Sequence, residues 1–205
     1  ASATACLDLY EATYESHYIQ TAQELMQRVE DKFLSDNGTF HETASDGEEL
    51  LVRQTSGYDG VEPSGNSNAA YALLRLSAYL ADPSLSLKAE KIFLNFNEEL
   101  MEYGLNSAYM LQALHLYLGG LKEVAVVGKR NDTETQKLLD TLRKGFYPNA
   151  VFAFAYEDEI GSTSIPLLKD RKLVNGKATA YVCKQGTCLA PVHTVEELVK
   201  LLSYD

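Results

Sequence analysis

The chain has 205 residues, 45% of them hydrophobic and 23% charged, and its 18 Lys and Arg against 29 Asp and Glu give a net charge of −11. Such a composition excludes wholesale disorder and is enough for one substantial core, with or without a smaller appendage. The acidic balance repels phosphate backbones and anionic lipid, so nucleic acid is excluded as a partner. No apolar run approaches the roughly 20 residues that cross a bilayer, so no membrane span is expected and the chain reads as soluble.

The first residues, ASATACLDLYEATYESHY, lack a basic region followed by an apolar one. Nothing in the chain is therefore expected to target it to a compartment. Ala5–Val29 then aligns with Ala72–Phe96 at a constant offset. Apolar or small residues coincide at Ala5/Ala72, Leu7/Leu74, Leu9/Leu76, Tyr18/Leu85, Ala22/Ala89, Leu25/Ile92, Met26/Phe93 and Val29/Phe96. Each copy predicts a helix, a short polar turn (YESHY or ADPSL) and a second helix, with Pro83 suited to a helix boundary. A repeated helical hairpin follows from this. Asn106–Gly120 has the apolar spacing of a third first-type helix, stopped by a glycine pair, and no second-type partner follows it.

From Glu123 the pattern changes. Glu123–Gly128 (EVAVVG) reads as a buried strand, Asp132–Phe146 as an amphipathic helix capped by Asp132 or Thr133, and Ala150–Tyr156 as a second strand. Lys177–Cys183 reads as a third strand. TVEELVKLL closes the chain as a helix, with Thr194 at the cap and Glu197 at the capping-box position. Strands alternating with helices predict a small, mainly parallel α/β unit over 122–205, following helical hairpins over 1–121. No linker rich in Pro, Gly or Ser separates them, and the two are expected to pack together.

The most polar stretch is YDGVEPSGNSNAAYALLRL, Tyr58–Leu76. Pro63-Ser64-Gly65-Asn66-Ser67 is helix-entry chemistry, because Ser and Asn side chains accept from the free amides of a first helical turn. Asp59 and Glu62 add carboxylates that helix entry alone does not require. Upstream, Asn37–Gly60 brings His41, Asp46, Glu49 and Arg53 towards the same end. One His, one Arg and several carboxylates are a set that positions hydroxyl groups and moves protons. Surface loops are also routinely rich in such residues.

YDGVEPSGNSNAAYALLRL, the hairpins around it, FYPNAVF and the ending ATAYVCKQGTCLAPV together resemble the C-terminal portion of the spermatogenesis-associated, YyaL-like family of thioredoxin-domain proteins. The resemblance runs through nearly the whole chain. It implies a partial α/α toroid, similar to the N-acylglucosamine 2-epimerase and six-hairpin glycosidase folds, with the thioredoxin-like domain and the first hairpins absent from this chain. The family's activity is unsettled and its link to carbohydrate is one of fold. The expectations drawn from it are a companion polypeptide carrying the rest of the toroid and a pocket for a small carbohydrate, worked, if the chain is an enzyme, by epimerase-like or glycosidase-like chemistry. Carried over, the family's polar segment falls on Tyr58, Asp59 and Glu62, its PSGNS on Pro63–Ser67 and its upstream basic residue on Arg53. If the chain is an enzyme, Asp59 or Glu62 is the expected acid/base group and Arg53 the substrate anchor. Tyr58, Ser64, Asn66 and His41 complete the pocket. In DNGTFHE, Asn37 and Thr39 stand where the family tends to have glycine and aromatic character. A non-catalytic scaffold module, docking another polypeptide through exposed helix faces, is the competing expectation.

No Trp is present to offer a sugar a flat face. Tyr58, Tyr71 and Tyr109 are the best-placed substitutes, although Tyr71 and Tyr109 also fall on helical apolar stripes. Cys183 and Cys188 have the wrong spacing for a thioredoxin-type pair. Zinc would need two further ligands and only His193 is near, which leaves a disulfide closing a short turn or two reduced thiols, with electron acceptance from a thioredoxin-like partner as a further expectation for the pair. Gly128 ends a strand before a helix, but neither a G-x-G-x-x-G nor a G-K-[ST] loop is present. No cofactor is expected, and no metal.

Overall fold

A computed structural model describes residues 1–184 and 186–203. Gln185, inside the expected Cys183–Cys188 turn, and the last two positions of the expected 122–205 unit lie outside the described residues. The chain divides into two compact units. The first comprises Ala1–Asp8, His17–Ser77 and Asp82–Leu118, and the second Leu9–Ser16, Ala78–Ala81 and Gly119–Asp205.

The first unit is helical. It holds the first part of α1 (Ser2–Thr13), α2 (His17–Phe33), most of α3 (Gly65–Leu80), α4 (Pro83–Asn95), α5 (Asn97–Tyr103) and nearly all of α6 (Ala108–Gly119). Asp82 starts α4 by accepting from the Ser84 amide at 2.9 Å, and Pro83 fills the first helical position, where no amide donor is needed. Buried Ile19, Ala22 and Met26 give α2 one apolar face, and Ala89, Ile92 and Phe93 do the same for α4.

The repeat is visible as side-by-side pairing of equivalent helices. Arg75 Nη1 of α3 donates to Asp8 Oδ1 of α1 at 2.6 Å, across a separation of 67 residues, which is the repeat offset. Lys88 of α4 meets Glu30 of α2 at 2.6 Å. The third first-type helix packs beside the second hairpin, with Tyr109 of α6 lying 5.2 Å from Tyr71 of α3, ring to ring, and Tyr117 lying 5.7 Å from Phe93 of α4.

In the second unit, Tyr14 and Ala81 follow the ends of α1 and α3 at equivalent repeat positions, and both adopt a left-handed backbone, with φ of 60° and 50°. Glycine is the usual residue at such a helix end, so both positions carry local strain. Four strands, β1 (Lys122–Gly128), β2 (Ala150–Tyr156), β3 (Thr179–Lys184) and β4 (Thr187–Cys188), form a sheet of order β2-β1-β3-β4. Helix α7 (Thr133–Lys144) connects β1 to β2, which run parallel as a crossover requires.

The expectation of a mainly parallel sheet is corrected by β3, which pairs antiparallel with β1 and, through a hairpin, antiparallel with β4. The sheet is mixed. Its physical origin is the segment between β2 and β3, which contains two short 3-10 turns and no α-helix. Without a crossover helix on a sheet face, the chain returns beside β1 in the opposite sense.

Strand alternation then sorts the faces. Val124, Val126, Phe154, Ala180 and Val182 pack with Leu138, Leu139 and Leu142 of α7 and with Leu198 and Leu202 of α8 (Val195–Ser203). Tyr14 rests on Phe154 with ring centroids 5.4 Å apart, and Tyr10 meets Tyr79 edge to face at 5.2 Å. Gly128 turns β1 towards α7 at a spot where a Cβ would stand 2.1 Å from Thr135 Cγ2, so only glycine fits.

Candidate functional site

The polar residues between α2 and α3 lie on a loop built by two isolated antiparallel bridges, Leu34 with Phe40 and His41 with Thr55. Its side chains bond mainly to backbone. Arg53 donates from Nη2 to the carbonyls of Thr43 and Lys32 and from Nε to Thr43, so its guanidinium ties the loop to the end of α2. Asn66, 1% exposed, accepts from the Phe40 amide at 2.8 Å and donates to the Phe40 and Ser56 carbonyls, each at 2.9 Å. It behaves as an inserted strand partner for the loop.

Asp59 is engaged in the same way. Its Oδ1 accepts from the Ser64 amide at 2.8 Å, and its Oδ2 accepts from the amides of Tyr109 and Met110 at 2.8 and 3.0 Å. Those two amides belong to the first turn of α6, which Asp59 therefore caps from a distant loop. Ser64 caps α3, accepting from the Ser67 amide at 3.0 Å while its hydroxyl reaches Ser67 Oγ at 2.8 Å. Tyr58 and Glu62 are exposed.

A cavity of about 440 Å³ opens beside this loop, walled by Leu25, Met26, Val29 and Phe33 of α2 and by Phe40. His41 and Asn66 are the expected pocket residues that line it, together with Glu42, Ser56 and Asn68, whereas Arg53, Tyr58, Asp59, Glu62 and Ser64 are not among its lining residues. His41 Nδ1 lies 3.0 Å from the Arg53 carbonyl. A carbonyl only accepts, so Nδ1 is the donor in this bond and the tautomer with its proton on Nε2 alone is disfavoured. Arg53 thus bears on the pocket through its backbone, by holding His41 Nδ1 as a donor.

A second polar group on the first-type helices went unread in the sequence. Thr4 and Asp8 of α1 have repeat equivalents in Tyr71 and Arg75 of α3, and Arg75 lies 5.6 Å over the Tyr71 ring while bonding to Asp8. Burial, with the neighbouring Tyr71 and Asp8, pushes the Tyr109 phenol up to about 12. An acid and a base at equivalent repeat positions was the signal available for this group. Among the described residues no cluster of His, Cys, Asp and Glu could hold a metal ion. No described helix is long and apolar enough to cross a membrane.

No protein-family model matches the chain. It is similar to spermatogenesis-associated protein 20 of Homo sapiens, with 32% identity over 201 residues that cover 96% of this chain and 25% of that protein. The protein of the same name from Rattus norvegicus is 31% identical over the same shares. A protein of Caenorhabditis elegans described as uncharacterised is 30% identical over 200 residues, covering 97% of this chain and 27% of that protein. The chain therefore spans about a quarter of the length of the curated relatives it matches.

Proposed function

We propose that the chain is the C-terminal part of a protein of the spermatogenesis-associated, YyaL-like kind, that its layered helices are hairpins of an α/α toroid, and that it presents a pocket for a small carbohydrate. Similarity along 96% of the chain supports the first part, and the side-by-side pairing of Asp8 with Arg75 and of Glu30 with Lys88 supports the second. The observation that carries the pocket is His41. Its Nδ1 donates to the Arg53 carbonyl, and it lines a cavity of about 440 Å³, a size suited to a small ligand.

Phe33 and Phe40 offer an apolar wall to the C–H face of a sugar, and His41 Nε2 and the Glu42 carboxylate offer hydrogen-bond partners to its hydroxyls. In this reading Asp59, Asn66 and Arg53 shape the pocket through backbone bonds, and the acid/base role passes from Asp59 and Glu62 to His41 with Glu42. The test is calorimetric titration with hexoses and N-acetylhexosamines. Millimolar binding that Glu42→Gln and His41→Gln each weaken about tenfold, with an unchanged melting temperature for the exposed Glu42 variant, is the expected result. Heat signals absent for every sugar, or equal in the variants, would remove the pocket reading.

A second reading, an interaction module that docks a companion polypeptide, is favoured by one observation. Met101 (80%), Leu105 (93%) and Leu118 (70%) are exposed on consecutive elements from α5 to α6. Exposed apolar side chains of this size offer surface to a covering partner. Replacing all three with Ser is expected to abolish concentration-dependent association in sedimentation velocity, and association that persists in the variant would count against this surface.

A further inference from the structure

Cys183 and Cys188 are joined by a disulfide between directly paired positions of β3 and β4. In the adjoining ladder Glu123 of β1 is the register partner of Cys183. Paired residues share a face of the sheet, so Glu123, Cys183 and Cys188 form one row across three strands. Cys183 is 2% exposed, whereas Cys188 at the sheet edge is open to solvent.

A cation sits on this row. Arg171 Nη2 lies 3.4 Å from Cys183 Sγ and 3.4 Å from Cys188 Sγ. The guanidinium stacks 4.8 Å over the Tyr181 ring, and the Tyr181 hydroxyl donates to the Lys172 carbonyl at 2.7 Å, anchoring the segment that carries Arg171. Its Nε is buried without a hydrogen-bond partner. A disulfide sulfur is a weak acceptor, and a thiolate is a far better one for a guanidinium.

We infer that Cys183 and Cys188 form a thiol–disulfide exchange site that takes two electrons from a dithiol, with Arg171 holding the thiolate that is released and Glu123 the neighbouring acid. A thiolate of the dithiol attacks the exposed Cys188 Sγ and forms a mixed disulfide. The Cys183–Cys188 bond breaks, and its electron pair leaves on Cys183 Sγ against Arg171. The second thiol of the dithiol, losing its proton, then attacks its own sulfur in the mixed disulfide and expels the Cys188 thiolate. Both cysteines finish reduced, the dithiol finishes as a disulfide, and two electrons and two protons have been transferred. Burial holds the Glu123 carboxyl above its ordinary value, and the nearby Arg171 charge opposes that shift.

A purely structural bridge fits less well. The loop that it closes is short, and the stabilisation from loop closure is smallest for short loops. The β3–β4 pairing already closes the same turn.

The test uses dithiothreitol as the dithiol and follows both thiols by alkylation and intact mass in native buffer. The expected result is reduction of the folded protein, with circular dichroism unchanged. Arg171→Met is expected to lower the equilibrium constant for reduction roughly tenfold, which corresponds to about 30 mV for a two-electron couple, and to slow reduction by a similar factor. Arg171→Lys keeps a charge without the planar fork and should fall between the two, carrying the comparison if the Met variant does not fold. A bridge that is reduced only as the protein unfolds, or arginine variants with the wild-type equilibrium constant, would overturn the proposal.

Discussion

The loop between α2 and α3 and the edge of the sheet are both polar, and they use that polarity in opposite ways. In the loop, Arg53, Asp59 and Asn66 bond to backbone amides and carbonyls of other segments. Their chemistry is engaged in holding irregular chain in place. At the sheet edge Arg171 instead bonds to the two sulfurs of a disulfide, and its Nε finds no partner. A dense cluster of charged and polar residues therefore does not measure chemical capacity. What counts is which polar atoms remain after the backbone has been satisfied.

Asn66→Ala is the sharpest way to break this contrast. The substitution removes partners from the Phe40 amide and from two carbonyls in a fully buried position, and is expected to cost about 3 kcal/mol, near the upper end for orphaned buried groups. The measurement is the urea midpoint at an unchanged slope. A variant as stable as the wild type would return Asn66 to the ligand-binding residues. In the second unit the corresponding test is Gly128→Ala. A Cβ there would meet Thr135 Cγ2 at 2.1 Å and Oγ1 at 2.7 Å, and Thr135 is fully buried and bonded to the Lys129 amide and to Asp132. The expected cost is about 2 kcal/mol of overpacking, read as faster hydrogen exchange of the β1 amides. Unchanged exchange would show that the corner between β1 and α7 yields freely.

These elements differ in how far the sequence announced them. Apart from α5, which no sequence signal announced, the helices of the first unit follow from apolar spacing and from an internal repeat, and the strained positions Tyr14 and Ala81 that end α1 and α3 fall at equivalent places in that repeat. The strands over Lys122–Gly128 and Ala150–Tyr156 follow from their apolar runs. The antiparallel sense of β3 does not, because it depends on how a segment without a regular α-helix returns to the sheet. The candidate site was legible only as a place. His41 and Asn66 do line a cavity, but nothing in the spacing of Asp59 marks it as the cap of α6, about 50 residues away. The row of Glu123, Cys183 and Cys188 is set by strand register, which a single sequence leaves free wherever long connections intervene.

The smallest expected effect concerns Asp132, whose carboxylate accepts from both the amide and the hydroxyl of Thr135 at the start of α7. Those bonds hold its carboxyl below the usual carboxylate range. A depressed folded-state value means that the unfolded chain binds the proton more readily, so the contribution is fully present above the unfolded value of about 4. It is lost as the pH falls through the folded value. Because the group is largely solvated, screening reduces the effect to about 0.5 kcal/mol. Urea midpoints measured at pH 7 and pH 3 should therefore differ slightly less for Asp132→Asn than for the wild type. Arg171 and Glu123, which answer to the disulfide instead, should leave that difference unchanged when Arg171 is replaced by Lys. If the Arg171 variant altered the acid response as much as the Asp132 variant did, the helix cap and the sulfur row would be coupled, and the division between architectural and chemically available polar groups would fail within the α/β unit.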